Sequence, residues 1–185
     1  MHAANDAQRA SVGLLPRGAI PLSVSRADPR RNHARCGPRV LFRRVATGIA
    51  TSPRYGIEGG QVQQTVLLFR DARTATRAFD RLTSSANSHC LRESARSEVS
   101  VEANSEAGPV TEQILNVEPH GQQSASYRMN TVVSPLGTVS IDILINRIGR
   151  SISSVSVIWT QAPQTLDFQE ALAARIASRL QRTLA

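Results

Sequence analysis

The side chains of this sequence with the greatest chemical reach are two cysteines, Cys36 and Cys90, and four histidines, His2, His33, His89 and His120. His33 lies three residues before Cys36 and His89 directly precedes Cys90. If those segments met, they would offer two thiolates and two imidazoles, a set that suits zinc. Neither pair has the internal spacing of a known zinc finger, and scattered histidines are ordinarily surface residues, so no metal site is assigned. The cysteines have a simpler joint use as one disulfide, which would tie the N-terminal entry to the end of a helix and contribute roughly 4 kcal/mol through loop closure. The alternative is two reduced, buried thiols in a cytosolic protein, because a disulfide needs an oxidising compartment. Spacing alone leaves both open.

Catalytic signatures are absent. There is no glycine-rich phosphate loop, no nucleophile elbow and no pair of histidines one helical turn apart. Gly56-Ile57-Glu58-Gly59-Gly60 precedes a strand instead of opening a helix, which makes it a turn. Asp142, on the polar side of an isoleucine-rich strand, and Arg147 and Arg150, flanking the next turn, are candidate lining for a ligand cleft, with Trp159 as a stacking residue. The plainer readings are a solvated face with weak surface ion pairs and a tryptophan buried in the core. No catalytic residue and no cofactor is assigned.

These residues need a scaffold, and the chain is long enough for one domain plus a tail: 185 residues, 41% hydrophobic, 4% aromatic. All 22 basic residues are arginine, against 14 acids. Residues 1–54 hold ten arginines and two acids, so the net charge of +8 belongs to the N-terminal segment. Total exclusion of lysine reads as the codon bias of a GC-rich genome, which weakens the basic character as a functional signal. No stretch approaches the roughly 18 consecutive apolar residues of a transmembrane helix. Residues 1–34 show no sustained period and read as a flexible Arg-rich tail; a misplaced start codon that hides a signal peptide is the other reading.

The rest reads as strands and helices. Val62 to Phe69 is an apolar, β-rich run, and Asp71 can cap a helix whose apolar positions are Ala75, Ala78, Phe79 and Leu82. That helix is expected to fade in the polar stretch Ser84 to Ser88. Two short candidates follow, Glu98 to Ala103 and Gln113 to Val117, separated by the loop-like Asn104 to Pro109. Ser126 to Val133, the alternating run around Val139 to Asn146, and Ile152 to Trp159 then predict a three-stranded antiparallel meander with one face on a core. At the end, Leu172, Ala173, Ile176, Ala177, Leu180 and Leu184 form the apolar arc of a helix, with Asp167 as cap, Glu170 completing a capping box, and Leu166 as staple against Ala171. Strands grouped with helices at either end predict an α+β layer.

The run Val62-Gln63-Gln64-Thr65-Val66-Leu67-Leu68-Phe69, continuing through Ala75, Ala78 and Phe79 to Cys90, resembles the extracellular sensor-domain family of the mycobacterial receptor Ser/Thr kinase PknH and its stand-alone lipoprotein relatives. Arg147 to Val157 is similar to that family's "R-x-G-x-x-I/V-x-x-V" hairpin, and the closing helix also matches. The resemblance covers about residues 35–185. It departs at Asn87, where the family often has Trp, and in the lack of a second cysteine pair, one member of which would lie near Ser126. Loss of that whole pair while Cys36 and Cys90 remain makes a Cys36–Cys90 disulfide the reading the resemblance favours. It implies a curved antiparallel sheet with a central helix and a C-terminal amphipathic helix packed on it, holding a cleft over the sheet.

The implied function is a non-catalytic, sensor-like ligand-binding domain of the actinobacterial cell envelope, or secreted, whose partner is a small molecule or an envelope component. Cys36 is preceded by Arg35, so the sequence has no lipobox there. The alternative is a cytoplasmic binder of nucleic acid or another anionic partner through the Arg-rich segment 26–44, with strongly salt-dependent affinity. Only one aromatic, Phe42, lies in that segment to stack on bases. A third reading, a small enzyme in the sheet cleft, lacks a visible acid, base and nucleophile set.

Overall fold

The computed structural model describes residues 38–103, 105–160 and 166–184. In chain order these form α1 (Pro38–Phe42), β1 (Gly48–Thr51), β2 (Tyr55–Ile57), β3 (Gly60–Leu68), α2 (Ala72–Leu82), α3 (Ser85–Ala103), β4 (Thr111–Ile114), β5 (Gln123–Val133), β6 (Gly137–Ile148), β7 (Ser151–Trp159) and α4 (Leu166–Leu184). Every strand pairing is antiparallel, in the order β1-β3-β7-β6-β5-β4, with β2 sharing the outer edge of β3. This is an α+β fold, and the meander expected from the sequence is β5-β6-β7.

Local chemistry explains the junctions. Asp71 accepts the Thr74 backbone N–H at 2.7 Å and starts α2, which buries Ala75, Ala78, Phe79 and Leu82 on one face. The β6–β7 hairpin turns on Gly149-Arg150, and Gly149 has φ 57°, a conformation that suits glycine and the twist of a two-residue hairpin. Gly60 opens β3 so close to β7 that a Cβ there would sit 2.2 Å from the Ile158 carbonyl oxygen. Only a residue without a side chain lets the two strands approach this far.

Helices cover both faces of the sheet. On one, α4 lays Leu172, Ala173, Ile176, Ala177 and Leu180 onto Val62, Val66, Leu68, Leu144, Val155, Val157 and Trp159. On the other, α1 and α2 close one end with Phe42, Phe79 and Leu82 over Leu67, Phe69, Ile145 and Ile152, while α3 closes the far end with Leu91, Ala95 and Val99 over Met129, Val133, Val139, Ile141 and Ile158. Phe42 and Phe69 meet edge to face, ring centroids 5.8 Å apart.

Several sequence expectations are corrected. The polar Ser84 to Ser88 stretch does not end helical structure: it breaks one helix and begins α3, because the Asn87 amide donates to the Leu82 carbonyl at 2.7 Å and satisfies an otherwise open end of α2. Glu98 to Ala103 is therefore the last part of α3 and not a separate element. The strand expected at Gln113 to Val117 lies earlier, at Thr111–Ile114. Asp167 sits inside the first turn of α4 instead of capping it, since the helix already includes Leu166. Elements α1, β1 and β2 were not anticipated. The meander has no solvated face opposite its core, because α4 covers the side that carries Ser140, Asp142 and Asn146, all of them buried. The expected tail, residues 1–34, lies outside the described residues.

Candidate ligand-binding cleft

Between the two helical ends of the α1–α3 face, the sheet is left uncovered. The floor there is set by register. Thr51 pairs with Thr65, Thr65 with Ser154, and Ser154 with Ile145; one row along, Gln63 pairs with Ser156 and Ser156 with Ile143. All point to the same side, because residues two apart on a strand share a face. The result is a cavity of about 570 Å³, floored by these residues with Ile49 and Ile141 and walled by Leu82 of α2, by Leu91, Ser94 and Ala95 of α3, and by Pro38, Val40 and Arg43 of the α1 region. Its size falls in the range of small-molecule sites, roughly 300–1,000 Å³.

The floor has two halves. Under β3, β7 and the Thr51 end of β1 it is a field of hydroxyls and one amide, with Ile49 of β1 beside it; under β6 it is isoleucine. The Thr51 and Thr65 hydroxyls bond each other at 3.1 Å, and Gln63 Nε2 donates to the Ser52 carbonyl at 3.2 Å. Among the described residues the hydroxyls of Ser94, Ser154 and Ser156 have no hydrogen-bond partner. Arg43, exposed beside the polar half, is the single charged residue among the described lining residues.

The opposite face handles its polar groups differently. Asp142 is fully buried and accepts from Arg128 Nε at 2.6 Å, Arg128 Nη2 at 2.9 Å, Trp159 Nε1 at 2.8 Å and Gln169 Nε2 of α4 at 2.5 Å. The carboxylate holds the Arg128 guanidinium above its ordinary pKa. Trp159 packs edge to face on Phe168, 5.4 Å between centroids. Neighbouring polar groups pair as well: Gln64 Nε2 to Ser153 Oγ at 2.9 Å, Ser124 Oγ to Asn146 Oδ1 at 2.8 Å, and Ser140 Oγ to Asn130 Oδ1 at 2.7 Å.

The four residues expected from the sequence to line a cleft are thus not gathered around one opening. Asp142 and Trp159 are sealed together beneath α4. Arg147 binds Gln123 Oε1 and the Gly149 carbonyl, and Arg150 binds the Phe69 carbonyl, so both brace the β6–β7 turn. None lines the cavity. The residues that do line it, chiefly Thr65, Ser154 and Ser156, carry a sequence signal that was available: hydroxyls where a buried strand should alternate with aliphatic residues.

Other candidates are placed as follows. His89 and Cys90 lie on α3 and His120 in the loop before β5, while His2, His33 and Cys36 are outside the described residues. Cys90 is disulfide-bonded, so it is not a free thiolate ligand. Of the Arg-rich segment, residues 26–37 lie outside the described residues, and Arg43 and Arg44 are exposed. No described helix is long and apolar enough to cross a membrane. Burial, reinforced by the Glu112 carboxylate, raises the Tyr127 phenol above its ordinary pKa.

No protein-family model and no curated protein matches the chain. The fold is similar to that of the extracellular domain of PknH from Mycobacterium tuberculosis, with a TM-score of 0.58 over 95% of this chain and 96% of that one, at 12% sequence identity. At that identity the likeness is one of fold.

Proposed function

We propose that the chain is a non-catalytic, sensor-like domain that holds a ligand in the cleft between α1, α2, α3 and the sheet, and that it works at the cell envelope or outside the cell. The observation that carries this reading is the pair of unpartnered hydroxyls, Ser154 and Ser156, facing a cavity of about 570 Å³, whereas on the other sheet face Ser153, Ser124 and Ser140 bond Gln64, Asn146 and Asn130. Buried or half-buried polar groups are ordinarily satisfied, and these two have capacity left for a guest. The described lining is hydroxyl, amide, aliphatic and guanidinium, with no acid and base placed to move a proton, which supports binding over catalysis. The likeness of fold to an extracellular domain supports the location.

Residues 35–185 would form the single domain and residues 1–34 the tail. The disulfide of Cys90 would be closed by Cys36, the other cysteine of the sequence, and would pin α3 as one wall of the cleft.

The test is a fluorescent apolar probe, anilinonaphthalene sulfonate, titrated into the protein and into Ser156→Phe, whose ring would fill the floor. The parent is expected to give saturable enhancement and the variant to lose it while keeping the same circular dichroism. Equal enhancement in both proteins places the probe elsewhere and removes the support for this site.

A further inference from the structure

The chemistry of the cleft narrows its guest. Resting on the reading that this cleft is the ligand site, we infer that it takes a single-chain anionic amphiphile, with the hydrocarbon chain over the half-buried Ile143, between Ile141 and Ile145, and the head group over the hydroxyl floor toward Arg43. The two halves of the floor impose this direction. From β1 to β6 there are three inter-strand steps, about 14 Å, along which the surface changes from Thr51, Thr65 and Ser154 to Ile145. Helix α1 packs on β3 and places Arg43 at the polar end; α3 packs toward β5 and places Leu91 and Ala95, with the single hydroxyl of Ser94, at the largely apolar end. A wholly apolar guest would leave the Ser154 and Ser156 hydroxyls desolvated and unpaired, and a wholly polar one would be set against isoleucine; both cost free energy. A head with acceptor oxygens meets donors at the serines and a guanidinium fork at the rim, which suits carboxylate or phosphate. No aspartate or glutamate is among the described lining residues to draw a cation.

The experiment is calorimetric titration of the full chain with laurate, dodecyl phosphate and dodecyltrimethylammonium below their micellar concentrations. These probes share a tail and differ in head. Laurate or dodecyl phosphate is expected to bind about fivefold more tightly than the trimethylammonium compound, the effect of an exposed charge pair. Arg43→Glu should weaken the anionic probes about fivefold, whereas Arg70→Glu, at an exposed arginine outside the lining, should leave them unchanged. Acceptance of all three heads alike would overturn the anionic assignment. Binding of anilinonaphthalene sulfonate that Ser156→Phe abolishes, with no binding of any alkyl probe, would refute the amphiphile while the cleft remains a site. Loss of both responses would refute the cleft itself.

Discussion

Replacing Asp142 with alanine is expected to lower the unfolding free energy by about 4 kcal/mol, the scale of breaking a buried ion pair from one side. The carboxylate is fully buried and its partner Arg128 keeps a side chain only 17% exposed, so solvent offers little compensation. Its removal also strips the acceptor from Trp159 Nε1 and from Gln169 Nε2. A domain of ordinary stability has about 5–15 kcal/mol in total, so the variant should be folded but fragile. With a urea slope of about 2 kcal/mol/M, the midpoint should fall by about 2 M. Far-UV circular dichroism is the right observable, because the emission of Trp159, the chain's one tryptophan, is itself perturbed. Adding Arg128→Met should recover about 2 kcal/mol, since the surplus guanidinium is gone while the indole and amide donors remain unpaired. A loss below about 1 kcal/mol, or a double variant no more stable than the single one, would refute the assignment of Asp142 as the tie between α4 and the sheet.

Two further outcomes follow from local chemistry. The Asp71 carboxyl lies at about 2 instead of 3.8, chiefly because it accepts the Thr74 backbone N–H, with Arg70 adding to the effect. A pKa depressed by folding stabilises above the unfolded value and stops doing so as pH falls from 3.8 through about 2. Asp71→Ala should therefore be less stable than the parent at neutral pH and match it at the acid end of that window in thermal unfolding; an undiminished difference there would contradict the cap. For the Cys36–Cys90 bridge, thiol titration of the unfolded, unreduced protein should find no free sulfhydryl, and two would disprove it.

Periodicity made most of the framework readable. The alternation of Val139, Ile141, Ile143 and Ile145 with Ser140, Asp142 and Asn146 located β6, and the three- and four-residue steps from Ala75 to Leu82 located α2. What failed was the inference from alternation to exposure. A strand that alternates polar with apolar ordinarily shows its polar side to water, but here α4 supplies Gln169 and an apolar stripe to that side, and the polar residues bond one another. Helix α3 was missed because its buried stripe, Asn87, Leu91, Ser94, Ala95 and Val99, is part polar and narrow. The hydroxyls of Thr65, Ser154 and Ser156 were legible but the cleft was not, because the rows that gather them, Thr51-Thr65-Ser154-Ile145 and Gln63-Ser156-Ile143, exist only once register is known.

The two faces of the sheet give the same residue type opposite fates, and the difference lies in what packs above. Ser153 and Ser154 are neighbours on β7. Ser153 faces α4, where Gln64 supplies its partner beside the apolar stripe of the helix. Ser154 faces the interval between α2 and α3, two helices separated by the turn at Thr83 and Ser84. The Asn87 amide ties the start of α3 to the Leu82 carbonyl at the end of α2, so the second helix starts as a separate element beside the first. The break in the helical run therefore sets the cavity. Replacing Thr83 and Ser84 with strong helix formers is expected to straighten it, close the cleft and abolish the saturable anilinonaphthalene sulfonate enhancement.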